Sequence, residues 1–257
     1  LGVFIMLTAL QRQLIYFPSR ANADVLAELA SRLGLEAWLD SEGMAIGWKS
    51  PGGPRARYKM LVFHGNAGFA LDRNYFVAGL GALANQWDVY LFEYPGYGAR
   101  EGTPSETIFQ ETAKQALQSL LAVDSRPVFI TGESLGSGVA CFLAGTFPKQ
   151  VAGLLLVTPF TSLVDVAVHH YPFLPVRTLL SERYDSREAL SRYGGPVAFL
   201  LAGRDEVVSS ELGRELYDSY SGPRWIHVEA QAGHNTLSYH PGADWWSEVS
   251  KFLTSPR

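Results

Sequence analysis

Short runs of almost wholly apolar residues alternate along this chain with longer stretches compatible with helix. The clearest runs are YKMLVFH (58–64), WDVYLFE (87–93), PVFITG (127–132), VAGLLLVTP (151–159), PVAFLLAG (196–203) and RWIHVEA (224–230). Most are apolar along their whole length, which implies strands buried on both faces, as in a parallel sheet. Helical patterns are predicted between them over 71–84, 105–122, 135–147, 209–220 and 243–253. This alternation predicts an α/β fold, a mostly parallel central sheet flanked by helices. MAIGWKS (44–50) is expected to begin the sheet as part of an antiparallel edge hairpin. One connection, about 160–195, is longer than an ordinary strand–helix loop and carries Pro172 and Pro175 among aromatics. It reads as a small cap laid across the C-terminal edge of the sheet.

Composition supports one large domain. The chain has 257 residues, 47% of them hydrophobic and 18% charged, enough apolar material for a sizeable core. A net charge of −4 with no basic run excludes an electrostatic case for nucleic acid. The single cysteine, Cys141, forms no internal disulfide and reads as a small buried hydrophobe. The first ten residues, LGVFIMLTAL, are nearly all apolar, but about 20 are needed to span a bilayer. Two readings compete for this segment: the tail of a signal anchor, or an amphipathic helix packed on the body. The expected organisation is therefore a hydrophobic segment over 1–20 followed by a domain over 21–257. Membrane-associated and cytoplasmic locations both fit, and oligomeric state is not legible.

The chemistry concentrates at VFITGESLGSGVACF (128–142). A buried strand runs into a Gly-rich turn carrying Glu133 and Ser134, and an apolar helix follows at once. A serine hydroxyl attacks carbonyl carbon only when exposed, aimed and served by a base. A sharp strand-to-helix turn projects Ser134 above the sheet and directs the first N–H groups of the helix at the same point. Gly132 and Gly136 leave room for that turn. The partners of such a serine follow in the order acid, then histidine. Asp205 (GRDEVV) and His234 (AGHN) lie just beyond two successive strands, so parallel strands deliver all three to one edge. Catalytic roles are assigned to Ser134, Asp205 and His234. Oxyanion donors are expected from the backbone N–H of Leu135 and, in the Gly-rich turn HGNAG, of Asn66, with Ala67 as fallback. Substrate contacts are expected from Tyr97 at the rim and from Phe160, Tyr171 and Phe173 in the cap; Tyr94 is read as a second rim contact.

Other candidates read as structural. Glu206 should point away from the turn, His227 sits inside a strand as a packed core histidine, and His64 braces its loop through hydrogen bonds. His169 and His170 read as exposed cap residues, and His240 as the entry to the last helix. No metal or organic cofactor is called for.

Taken in order, HGNAG, EYPGYG, GESLG, GRDEVV and AGHN resemble the α/β-hydrolase superfamily, and more narrowly its Bem46-like α/β-hydrolase-domain group. The resemblance covers about 11–253. It implies a serine hydrolase fold and a small-molecule ester or acyl thioester as substrate. Membrane-anchored members carry a hydrophobic segment before a stretch like QRQLIYFP (11–18), which strengthens the anchor reading. The group includes protein depalmitoylases and esterases. The leading expectation is a carboxylesterase, with an S-acyl thioesterase acting on lipidated proteins as the alternative. A non-catalytic binding module is a third class, one expected to have lost a member of the triad.

Overall fold

The computed structural model describes residues 11–51, 53–84 and 86–256. Eight strands form one sheet: β1 (Glu36–Leu39), β2 (Ala45–Lys49), β3 (Tyr58–Phe63), β4 (Trp87–Phe92), β5 (Val128–Glu133), β6 (Val151–Val157), β7 (Val197–Ala202) and β8 (Arg224–Glu229). Their spatial order is β1-β2-β4-β3-β5-β6-β7-β8. Every pairing from β4 onward across to β8 is parallel, whereas β1–β2 and β2–β4 are antiparallel. The expected edge hairpin is present, with β2 as its second strand. Its first strand, β1, and the preceding helix α1 (Ala23–Arg32) belong to neither the runs nor the helical stretches named above.

Helices cover both faces because the inner strands are apolar on both. One face carries α3 (Glu106–Val123), α4 (Leu135–Thr146), α7 (Ser186–Ser191), from the end of the long connection, and α8 (Ser210–Ser219). The other carries α1, α2 (Asn74–Gly81) and α9 (Asp244–Thr254), where Trp245 and Trp246 are buried against Phe76 and Leu80. β3 to β7 are lined almost wholly by buried side chains, whereas every residue of β8 keeps partial or full exposure at the sheet edge. His227 therefore sits half-buried and stacked on Trp225, not in the core. Cys141 is buried in α4, and burial pushes its thiol up to about 12, consistent with an inert packing residue.

The 160–195 connection divides in two. Helix α5 (Leu163–His170) and the turn α6 (Val176–Leu179) line a cavity at the C-terminal edge. α7 instead packs against α4, its Ala189 backbone lying where a side chain at Gly145 would be. The first ten residues, on which the two readings of the hydrophobic segment turn, lie outside the described residues. Residues 11–15 are helical and run along this connection, after which Phe17–Pro18 pair in parallel with Ala67–Gly68. No helix among the described residues is long and apolar enough to cross a membrane.

Candidate active site

Ser134 stands between β5 and α4 with φ 52° and ψ −120°, a region that costs a non-glycine residue roughly 1–3 kcal/mol. The turn is held by the Ser134 N–H, which donates to the Val157 carbonyl at 2.9 Å, and by Ser137 Oγ, which donates to the Ser134 carbonyl at 2.6 Å. Its glycines answer to steric need. A Cβ on Gly132 would lie 2.3 Å from the Gly136 carbonyl oxygen, and one on Gly136 would lie 2.3 Å from that of Phe63. Both obstacles are backbone and cannot swing aside. Gly136→Ala is expected to destabilise the fold by about 1–3 kcal/mol, read as a lower midpoint in denaturant unfolding.

The three residues singled out from the sequence meet. His234 Nε2 lies 3.1 Å from Ser134 Oγ, and His234 Nδ1 lies 2.7 Å from Asp205 Oδ2. The other Asp205 oxygen accepts the Val207 and Val208 N–H groups at 2.9 and 2.8 Å, which fixes the carboxylate and keeps its second oxygen for histidine. With Nδ1–H donating to Asp205, the bare Nε2 faces the hydroxyl, the tautomer a general base needs. The imidazole is 12% exposed and the carboxylate 2%, so solvent barely reaches the pair.

Ser134, Leu135 and Asn66 all line one cavity of about 610 Å³. The Leu135 N–H opens α4 and has no intrahelical partner by helix geometry. The Asn66 N–H donates to no carbonyl among the described residues. The cavity wall is mostly aliphatic, from Leu163, Val166, Leu174, Val176, Leu180 and Val208, with Phe160 and Tyr171 among them. Phe160 and Tyr171 thus stand where expected. Phe173 does not: it is 97% exposed and points away from the cavity. Tyr97 and Tyr94 do not form the rim either, since both are fully buried beneath it. The Tyr97 hydroxyl donates to the Asn66 carbonyl at 2.7 Å and its ring packs on His64, so it supports the loop from behind.

His64 braces that loop as expected. It is buried, with Nδ1 donating to the Gly65 carbonyl at 2.8 Å and Nε2 3.2 Å from Glu93. His170 is exposed, as expected, and it also lines the cavity, with Nε2 2.8 Å from the Val207 carbonyl. Glu206 also faces the cavity. Gln11, Leu14 and Ile15 line it too, arriving from a segment far from the motifs.

A largely buried ion pair lies behind the turn. Glu133 accepts Arg73 Nη2 at 2.8 Å and the Tyr75 hydroxyl, while Arg73 Nη1 donates to the Ala67 carbonyl at 3.2 Å. Burial alone would raise the Glu133 carboxyl, but the Arg73 charge and hydrogen bonds outweigh it and hold the group below its ordinary value. The pair ties the nucleophile turn to the 66–68 loop. Glu133 was visible as the acid in the turn, but its partner is 60 residues away, and no local pattern marks it.

Comparison with known proteins places the fold in a family. The model of the alpha/beta hydrolase fold family matches residues 58–183. An uncharacterized protein of Mycobacterium tuberculosis is 35% identical over 263 residues, covering 98% of this chain and 90% of that one. The alpha/beta hydrolase domain-containing protein 17B of Homo sapiens is 29% identical over 191 residues, 73% of this chain and 64% of that protein. Among solved structures, a Pyrococcus furiosus esterase superposes with a TM-score of 0.67 at 16% identity, covering 93% of this chain and 96% of that one.

Proposed function

The chain belongs to the α/β-hydrolase family, and from that premise we propose that it is a serine hydrolase cleaving carboxylic esters through an acyl-enzyme. The observation that carries this reading is the continuous hydrogen-bonded chain Ser134–His234–Asp205 opening into an apolar cavity. His234 Nε2 takes the proton as Ser134 Oγ bonds to the carbonyl carbon. Asp205 stabilises the imidazolium that forms. The Leu135 and Asn66 N–H groups receive the oxyanion, each such donor being typically worth about 3 kcal/mol in the transition state. Collapse expels the alcohol, which takes its proton from His234. Water then attacks the acyl carbon with His234 again as base, and the acid leaves Ser134.

The aliphatic lining of the cavity supports an acyl chain longer than acetyl. Each methylene buried contributes about 0.8 kcal/mol, or about fourfold in kcat/KM. On p-nitrophenyl esters of increasing length, kcat/KM is expected to climb by up to that factor per methylene until the cavity is filled, then level. A profile that peaks at acetate would exclude the cavity as the acyl site.

A second reading is supported by the apolar groups around the mouth. Leu14, Tyr171, Leu174 and Leu179 are each more than half exposed, which suits an acyl chain presented from a lipid surface by a protein thioester. An S-palmitoyl thioester beside the matched oxygen ester in the same panel separates the two.

A further inference from the structure

The loop proposed to hold the oxyanion is fastened to a segment more than 50 residues earlier. Three hydrogen bonds from strap and loop neighbours hold Asn66, through its side-chain amide and its carbonyl. Its side-chain Nδ2 donates to the Ile15 carbonyl at 2.8 Å. Its carbonyl accepts the Phe17 N–H at 2.9 Å and the Tyr97 hydroxyl at 2.7 Å. The parallel pairing of Phe17–Pro18 with Ala67–Gly68 continues the attachment. Two of these bonds fix the carbonyl, in the peptide plane after Asn66, and one fixes the side chain, so the Asn66 Cα is held on both counts; the peptide plane before it is held by its Gly65 carbonyl, which accepts from His64 Nδ1 at 2.8 Å. That plane carries the N–H aimed at the oxyanion.

The strap is itself pinned at its far end. Arg12 Nε donates to Glu182 Oε1 at 2.8 Å, and the Tyr16 hydroxyl donates to Glu182 Oε2 at 2.5 Å. Glu182 is only 3% exposed, so the Arg12 bond is made to a largely desolvated carboxylate. Gln11 Nε2 donates to the Leu179 carbonyl at 2.8 Å and its Oε1 accepts the Ser181 N–H at 3.1 Å. The Tyr16 hydroxyl also lies 2.8 Å from that of Tyr184. A rigid path therefore runs from the connection that covers the cavity, through 11–17, to the Asn66 peptide.

Resting on the serine-hydrolase reading, we infer that residues 11–17 form a positioning strap for the oxyanion loop, with Arg12 and the Ile15 and Phe17 backbone setting the aim of the Asn66 N–H. Oxyanion donors act by being preorganised, and a shift of a fraction of an ångström forfeits much of their effect. The strap consequently governs kcat, not only affinity, even though none of its polar groups reaches the reacting atoms.

The test uses the full chain with a short, soluble p-nitrophenyl ester. Asn66→Ala keeps the backbone N–H but releases the Ile15 carbonyl, and should lower kcat about tenfold or more, a fraction of the loss seen when a whole donor is removed, with KM within about twofold. Arg12→Ala, at a partly exposed side chain, should lower kcat at least about threefold with KM unchanged, and Arg12→Lys should recover most of it. Should Asn66→Ala fail to fold, the Arg12 pair decides alone. Wild-type kcat in Arg12→Ala, or a loss confined to KM, would overturn the strap and leave a mere cavity wall. Ser134→Ala measured alongside keeps the readings apart: if it still turns over normally, the serine-hydrolase reading fails first.

Discussion

Ser134→Ala is expected to lower kcat for ester hydrolysis by about 10⁶-fold while leaving the fold intact. Among the described residues the Oγ atom hydrogen-bonds to His234 Nε2 alone, at 3.1 Å, and the residue is 7% exposed. Losing one such bond costs about 1 kcal/mol or less at a site open to a cavity. The backbone at φ 52° is as strained for alanine as for serine, so its cost is common to both. Loss of activity at an unchanged unfolding temperature therefore isolates the nucleophile from the scaffold. A variant hydrolysing at a rate near wild type would end the acyl-enzyme proposal, because among the described residues Ser134 is the one hydroxyl hydrogen-bonded to His234.

Arg73→Ala is expected to destabilise the protein by about 3–5 kcal/mol at neutral pH. It leaves the Glu133 carboxylate buried behind the nucleophile turn, with the Tyr75 hydroxyl as its remaining partner. The pH dependence gives the prediction a second handle. In the wild type Glu133 is held below its ordinary value of 4.5, so its contribution is complete above that pH. The contribution is lost as pH falls through the depressed value of the folded state. In Arg73→Ala burial, the largest influence, moves the carboxyl up, opposed by the Tyr75 bond and by His64 but no longer by Arg73. Protonation then relieves the variant, so its deficit should be largest near pH 7 and shrink on acidification. Denaturant midpoints for both proteins between pH 4 and 8 check this, and Glu133→Gln in the variant background should recover part of the loss. A deficit that stays constant with pH would mean lost packing rather than an orphaned charge. The same variant should loosen the 66–68 loop, since Arg73 also holds the Ala67 carbonyl.

The residues that proved legible share one property. Ser134, Asp205 and His234 each sit just past a strand whose apolar run marks it in the sequence, and the turn around Ser134 needs glycine at 132 and 136 for steric reasons. Parallel strands place such positions on one edge without further information. Where that help ended, the reading failed. Tyr97 and Phe173 both lie in irregular backbone, where no period says which way a side chain points. One turned inward beneath the loop and the other out to solvent. His170 was read as surface and is exposed, but its place on α5 brings it to the cavity. The α1 helix and β1 strand precede the regular alternation and were passed over.

By itself the sequence determined seven of the eight strands of the sheet, the helices between most of them, and the three residues proposed to carry the chemistry. These depend on side-chain periodicity and turn sterics, which are settled among residues a few positions apart. Only the tertiary structure decided how Glu133 meets Arg73, which residues wall the cavity, and that Ile15 and Phe17 hold Asn66 from both sides. Those contacts join parts of the chain some 50 to 170 positions apart, and what brings them together is the packing of the whole sheet and its cap, not any preference of the residues concerned.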